Sequence, residues 1–281
     1  MSAWKSIAVF IDYADPEYSI LEYAGWLAQR CDAHLIGVFN MGALATGADG
    51  FTRVRGTAIQ EEIARRRVRE QQVALEAGRK LAEIGQRRGV SVEFRVLWRA
   101  FESEDAILNS LHCDLVLIGD CRDSCLPQGV TPERVVFEVG VPVIVVPEGW
   151  RQREDVKHVI VGWNATREAR RAISDALPFI TMAEHTTLLV VDPDKREDRH
   201  GELPGSDAAL YLARHGGNIQ TRTENSYGRR VDEVVLSIAQ KEDADLIVMG
   251  AYSKPRHRQL LFGGVTRSML SGVRYPLLIS R

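Results

Sequence analysis

Asp245 to Thr266 reads DLIVMGAYSKPRHRQLLFGGVT. Leu246 to Met249 is a short apolar run without polar alternation, which is the pattern of a strand buried on both faces of a parallel sheet. Gly250 ends it. A polar, basic loop is expected next (Ser253, Lys254, Pro255, Arg256, His257, Arg258), then the pair Gly263-Gly264 and an amphipathic helix through Thr266, Met269 and Leu270. Strand, glycine, loop, glycines and helix form a layout suited to phosphate. Glycine lets backbone approach an oxyanion, and free N–H groups at a helix start favour negative charge. The spacing is neither that of a Walker P-loop nor GxGxxG.

Outward from this stretch, the chain repeats itself. HVIVGWN (158–164) answers SIAVFID (6–12), ADLIVMGAY answers CDLVLIGDC, GVTRSML answers GVTPERV, and YPLLISR answers VPVIVVP. Duplication explains this better than chance. The expected units are residues 1–148 and 157–281, with 149–156 as a linker. In the first unit, Ile7 to Ile11 reads as a strand, and Ser19 as the cap of a helix over Ile20 to Arg30. Residues 33–40 read as strand two, 41–51 as a loop, Glu61 to Arg88 as a long charged helix, and SVEFRVLW as strand three. EDAILNSL then reads as a short helix, DLVLIGD as strand four, TPERVVFEV as a helix and VPVIVVP as strand five. Strands alternating with helices imply parallel pairing and right-handed crossovers. The expected fold is α/β: two tandem five-stranded parallel sheets, each in the order 3-2-1-4-5 with helices on both faces, their fifth strands approaching each other.

The spacing Gly250-x2-Ser253-x9-Gly263-Gly264 resembles the signature of the universal stress protein family, which is glycine, two residues, glycine, nine residues, glycine, then serine or threonine. Here serine stands for the second glycine and glycine for the hydroxyl residue. The order of elements in both halves is similar to the family's Rossmann-like, adenine nucleotide alpha hydrolase-like fold. The resemblance implies that ATP, with or without magnesium, or a related adenine nucleotide is the ligand. It implies an adenine and ribose side at Asn164, Ala165 and, through its backbone, Val190. Met249, Gly250 and Ser253 would follow from strand four and its loop, and Gly263, Gly264, Val265 and Thr266 would meet the phosphates. These positions fall at the carboxyl ends of parallel strands, where open α/β sheets place ligands. The matching first-half positions are Asp12, Val38, Gly119, Gly129, Val130 and Thr131. The family also pairs single domains through their last strands, so the two halves are expected to form an intramolecular pseudo-dimer, with homodimerisation optional.

The halves have diverged. Asp12 to Asp114 spans 102 positions against 81 from Asn164 to Asp245, the excess lying in the 41–51 region and the long helix. Gly119 to Gly129 spans 10 positions against 14 from Gly250 to Gly264, so the first copy has a shorter phosphate loop and carries Asp120 and Asp123 there, partly offset by Arg122. One nucleotide per chain is expected, in the second half.

Each residue also has a structural role open to it. Gly250 can simply end a strand, Gly263-Gly264 can allow close helix packing, and Asn164 or Thr166 can cap the following helix. Three function classes stay in view: a regulatory, nucleotide-binding protein of the stress response; a slow ATPase or nucleotidyl transferase; and a nucleotide-independent scaffold. Against the transferase, Asn164-Ala165-Thr166 stands where a His-x-Gly-His turn belongs. Against fast hydrolysis, the only evident base is His257, and no magnesium-binding acidic pair flanks Gly250. No catalytic residue is assigned.

Composition fits these classes. The 281 residues carry a formal charge of -2 and are 45% hydrophobic, so no whole-chain field points to nucleic acid or to a membrane surface. No apolar run approaches spanning length, and Met1 to Lys5 leads straight into a strand, so a cytoplasmic protein without a signal peptide is expected. The four cysteines, Cys31, Cys113, Cys121 and Cys125, show no repeated CxxC spacing; free thiols are expected, and no metal site.

Overall fold

Apolar runs decide the interior. In a computed structural model, which describes residues 4–11, 17–40, 58–97, 107, 110–120, 131–196, 202–251, 253–256 and 259–281, the first half consists of β1 (Ser6–Phe10), α1 (Ser19–Cys31), β2 (His34–Asn40), α2 (Ala58–Arg88), β3 (Val92–Leu97), β4 (Leu115–Gly119), α3 (Pro132–Glu138) and β5 (Val143–Val146). The second half restarts with β6 (His158–Gly162), α4 (Arg167–Asp175), α5 (Leu177–Met182), β7 (His185–Val191), α6 (Ser206–Arg214), β8 (Ile219–Glu224) and α7 (Val231–Lys241). It ends with β9 (Leu246–Gly250), β10 (Ser253–Arg256), β11 (Gln259–Phe262), α8 (Gly264–Leu270) and β12 (Leu277–Ser280). The central strands β5 and β12 are buried at every residue, whereas β3 and β8 are half exposed. Their places in the sheet follow from this.

The strand order is β3-β2-β1-β4-β5-β12-β9-β6-β7-β8. Each half therefore has the expected 3-2-1-4-5 order with parallel pairing. The fifth strands do more than approach. β12 pairs antiparallel with β5, placing Leu277 opposite Val145, Leu278 opposite Ile144 and Ile279 opposite Val143, so that two sheets become one of ten strands. An apolar strand buried on both faces must have its N–H and C=O groups paired, and a twofold-related copy presents the same edge in the opposite sense.

Two apolar clusters, one on each face of the sheet, run across both halves. On one face lie α1, α2, α4, α5 and α6; there Trp4 and Trp26 of the first half meet Phe179 of the second at 5.6 and 6.3 Å between ring centroids. On the other lie α3, α7 and α8. The presumed linker is tied down as well: Trp26 Nε1 donates to the Glu154 carbonyl (3.2 Å), and Arg153 Nη2 pairs with Asp243 (2.6 Å).

Twin aspartates brace the two copies. Asp114 Oδ2 accepts the amides of Lys5 (2.7 Å) and Ser6 (2.9 Å), and Asp245 Oδ2 accepts those of Lys157 (2.7 Å) and His158 (3.1 Å). The residue before strand four thus anchors the start of strand one in each half.

Three local expectations change. Ser19 is the first residue of α1 and not its cap; the preceding Tyr18 turns the chain in the left-handed region at φ 49°. The basic stretch after Gly250 is not a loop but a two-stranded antiparallel ribbon, with Ser253 opposite Phe262 and Arg256 opposite Gln259. Its charges suggested solvation, but polar side chains and a proline are both compatible with strands that have an open edge. The long helix begins at Ala58, one turn earlier than expected, and runs for 31 residues. Asp12, Cys121, Arg122, Asp123, Cys125, Gly129, Val130, His257, the 41–51 stretch and most of EDAILNSL lie outside the described residues.

Candidate functional site

A cavity of ≈ 260 Å³ opens at the carboxyl ends of β6, β7 and β9. Its floor is sheet: Gly162, Leu189 and Ile247. Val231 and Val235 on α7 form one wall, and Met269 with the start of α8 forms another. Hydrophobic strand ends and the inward stripes of two short helices make this lining apolar, which suits a flat ring.

The polar groups gather at one end. Gly263 precedes α8 in an extended conformation (φ -60°, ψ 154°), and no side chain caps the helix there. The amides of Gly264, Val265 and Thr266 therefore have no intrahelical acceptor, and all three residues line the cavity. Thr266 is 1% exposed and stands in the cavity wall beside these amides. Across from them, Asn164 Oδ1 accepts the Thr166 hydroxyl (2.8 Å), leaving the Asn164 amide donors for a ligand. Thr166, not Asn164, caps α4, accepting the Ala169 amide at 3.2 Å. Between them Ala165 is held in the left-handed region (φ 54°), a conformation uncommon for alanine that turns the chain sharply from β6 into α4.

The structure brings together Asn164, Met249, Gly250 and the Gly263 to Thr266 run. Ala165 and Val190 do not line the cavity, whereas Leu189 and Val191 do. Val190 is expected to act through its backbone, and its side chain faces away from the cavity. Phe10 pairs with Val38 as Gly162 pairs with Leu189, so Val38 and Leu189 are the true counterparts, and a shift of one residue along a strand moves a side chain to the opposite face. Ser253 begins β10, and its backbone alone is described. In the first half, Val38 is buried in the core, Gly119 ends β4, and Thr131 caps α3 by accepting the Arg134 amide at 3.3 Å.

The two motif glycines do different things. A Cβ on Gly250 would lie 2.4 Å from Ala169 N and 2.4 Å from Glu168 C, so the first turn of α4 rests on the end of β9 and requires glycine there. A Cβ on Gly264 would meet nothing within 4 Å. Trp163, Leu189, Val231 and Val235 are cavity residues that the motif does not contain. Their apolar character was visible in the sequence, but which strand ends and helix faces converge was not. The Trp163 ring packs with the cluster on the opposite face, toward Gly205.

Second contacts hold the walls. Ser268 Oγ on α8 donates to Asp232 Oδ2 on α7 at 2.6 Å, and Asp232 is 7% exposed. Beside the cap of α4, Glu168 is nearly buried and pairs with Arg167 (2.7 Å). Burial works to raise its carboxyl, but the Arg167 guanidinium and its own amide outweigh burial and hold it below the usual carboxylate range.

Among the described residues, no helix is long and apolar enough to cross a membrane, and no group of three potential metal ligands is found. Residues 155–281 match the model of the Universal stress protein family. A search of the curated proteins finds no significant match. The fold is similar to that of a universal stress protein from Archaeoglobus fulgidus DSM 4304 (TM-score 0.64, 16% identity, 98% of each chain covered). It is also similar to a functionally unknown protein from Pseudomonas aeruginosa PAO1 (TM-score 0.62, 17% identity, 99% of this chain and 93% of that one). A protein from Pseudomonas aeruginosa UCBPP-PA14 aligns with a TM-score of 0.63 at 19% identity, over 99% of this chain and 94% of that one. Identities this low establish the shared fold only. Residues 155–281, which contain the whole cavity, are a universal stress protein family domain, built in tandem with a first half of the same fold.

Proposed function

We propose that the second half binds an adenine nucleotide, ATP or a close relative, and that the chain acts as a regulatory module of a stress response rather than as a fast enzyme. The stress-response part rests on the family match over residues 155–281. The observation that carries the ligand is the polarity of the cavity: an apolar trough with the Asn164 amide at its side and, at one end, uncapped amides beside the Thr266 hydroxyl. A planar base fits the first part and an anionic tail the second. Protein purified from cells, denatured and chromatographed should release adenine nucleotide, and titration calorimetry with ATP, ADP and AMP should give one site per chain. Neither released nucleotide nor heat with any of the three would overturn the reading.

A further inference from the structure

The two halves match strand for strand. Ser6 pairs with His34 as His158 pairs with His185, and Ile7 pairs with Leu115 as Val159 pairs with Leu246. Phe10 therefore takes, in the first half, the place that Gly162 takes in the second. Each is the last residue of its strand, and the alternation of side chains directs this position toward the face covered by α3, α7 and α8.

At Gly162 that face is the cavity. An added Cβ would meet only the Val248 carbonyl oxygen at 3.7 Å and Met249 Cβ at 3.9 Å, so the space beyond it is open. At Phe10 the same direction holds a phenyl ring that is 2% exposed, in one cluster with Val38, Ile118 and Val136. The helix starts differ in the same sense. Thr131 already caps α3, whereas the start of α8 is uncapped.

We propose that the residue at this position decides which half takes a ligand: Gly162 leaves the second cavity open to a planar ring, and Phe10 fills the matching volume of the first. The first half is then a sealed copy that supports its partner. It does so through β5 and through Asp120 Oδ2, which accepts the Val273 amide at 3.1 Å just beyond α8. The identity of the ring rests on the nucleotide reading above; the open and sealed volumes do not.

The test uses the full chain and two probes, ATP by calorimetry and the fluorescent dye 1-anilinonaphthalene-8-sulfonate, which reports an accessible apolar cavity without requiring a nucleotide. Wild type should bind one equivalent of each. Gly162→Phe, checked for native circular dichroism and cooperative melting, should weaken both by at least about tenfold. Phe10→Ala should gain a second dye site, which keeps the idea testable should Gly162→Phe misfold. If wild type binds dye but not ATP, and Gly162→Phe loses the dye, the sealed-copy inference stands and the nucleotide reading fails. A wild type that binds neither probe, a folded Gly162→Phe that keeps its affinity, or a folded Phe10→Ala with no added dye site overturns the inference.

Discussion

Replacing Gly250 by alanine separates the glycine that the fold needs from the glycines that border the site. The new methyl would stand 2.4 Å from Ala169 N, 2.4 Å from Glu168 C and 2.7 Å from Glu168 O. These are backbone atoms and cannot rotate aside. The first turn of α4 must withdraw by roughly 1 Å, or β9 must shift against β12, where Gly250 is registered with Ser280. Overpacking of this kind costs about 1–3 kcal/mol. At a few degrees per kcal/mol for a chain of this size, Tm should fall by roughly 2–10 °C. Gly264→Ala provides the contrast. Its Cβ meets nothing within 4 Å, and alanine is the better helix former by up to about 1 kcal/mol, so Tm should hold or rise. Thermal unfolding of the full-length variants, followed by far-ultraviolet circular dichroism, reads both. Gly250→Ala melting within about 1 °C of wild type, or Gly264→Ala losing as much as Gly250→Ala, would refute the assignment of the two glycines.

The nucleotide proposal predicts a contrast in binding at the neighbouring glycines: Gly263→Ala should sharply weaken nucleotide binding in calorimetry with Tm held, since its φ of -60° accepts alanine, while Gly264→Ser should tighten binding by adding a donor. The opposite order of affinities would count against phosphate at these amides. Asp245→Ala removes a buried carboxylate and leaves two part-buried amides without their acceptor, and should cost about 2–4 kcal/mol in urea unfolding, whereas Asp114→Ala should cost less, because its carboxylate is exposed and water can replace it; equal losses would contradict this. The Glu168 carboxyl is held below its usual range, so its stabilisation is present above the unfolded-state value and is lost as pH falls through the folded one. The Tm difference between wild type and Glu168→Gln should therefore be largest near neutrality and shrink below about pH 4.5, and a difference that grows on acidification would show the sign to be wrong.

The alternation of apolar runs with amphipathic stretches and the duplication could be read from the sequence, because each is a local property repeated along the chain. The GGVT segment was legible for the same reason. Glycines and small residues sit where a strand ends and a helix begins, and the cavity of the second half forms there. Contacts between segments distant in the chain were not legible. The β5–β12 pairing depends on two bare strand edges meeting, and which of Leu189 and Val190 turns its side chain to the cavity depends on a register that a shift of one residue reverses. Gly250 marked a strand end in the sequence, but its need for glycine comes from α4, whose backbone passes above it. Phe10 and Gly162 are each an ordinary last residue of an apolar strand. Only their superposed places in the two copies make one a filled core and the other the floor of a cavity, because packing volume belongs to the face on which distant elements converge.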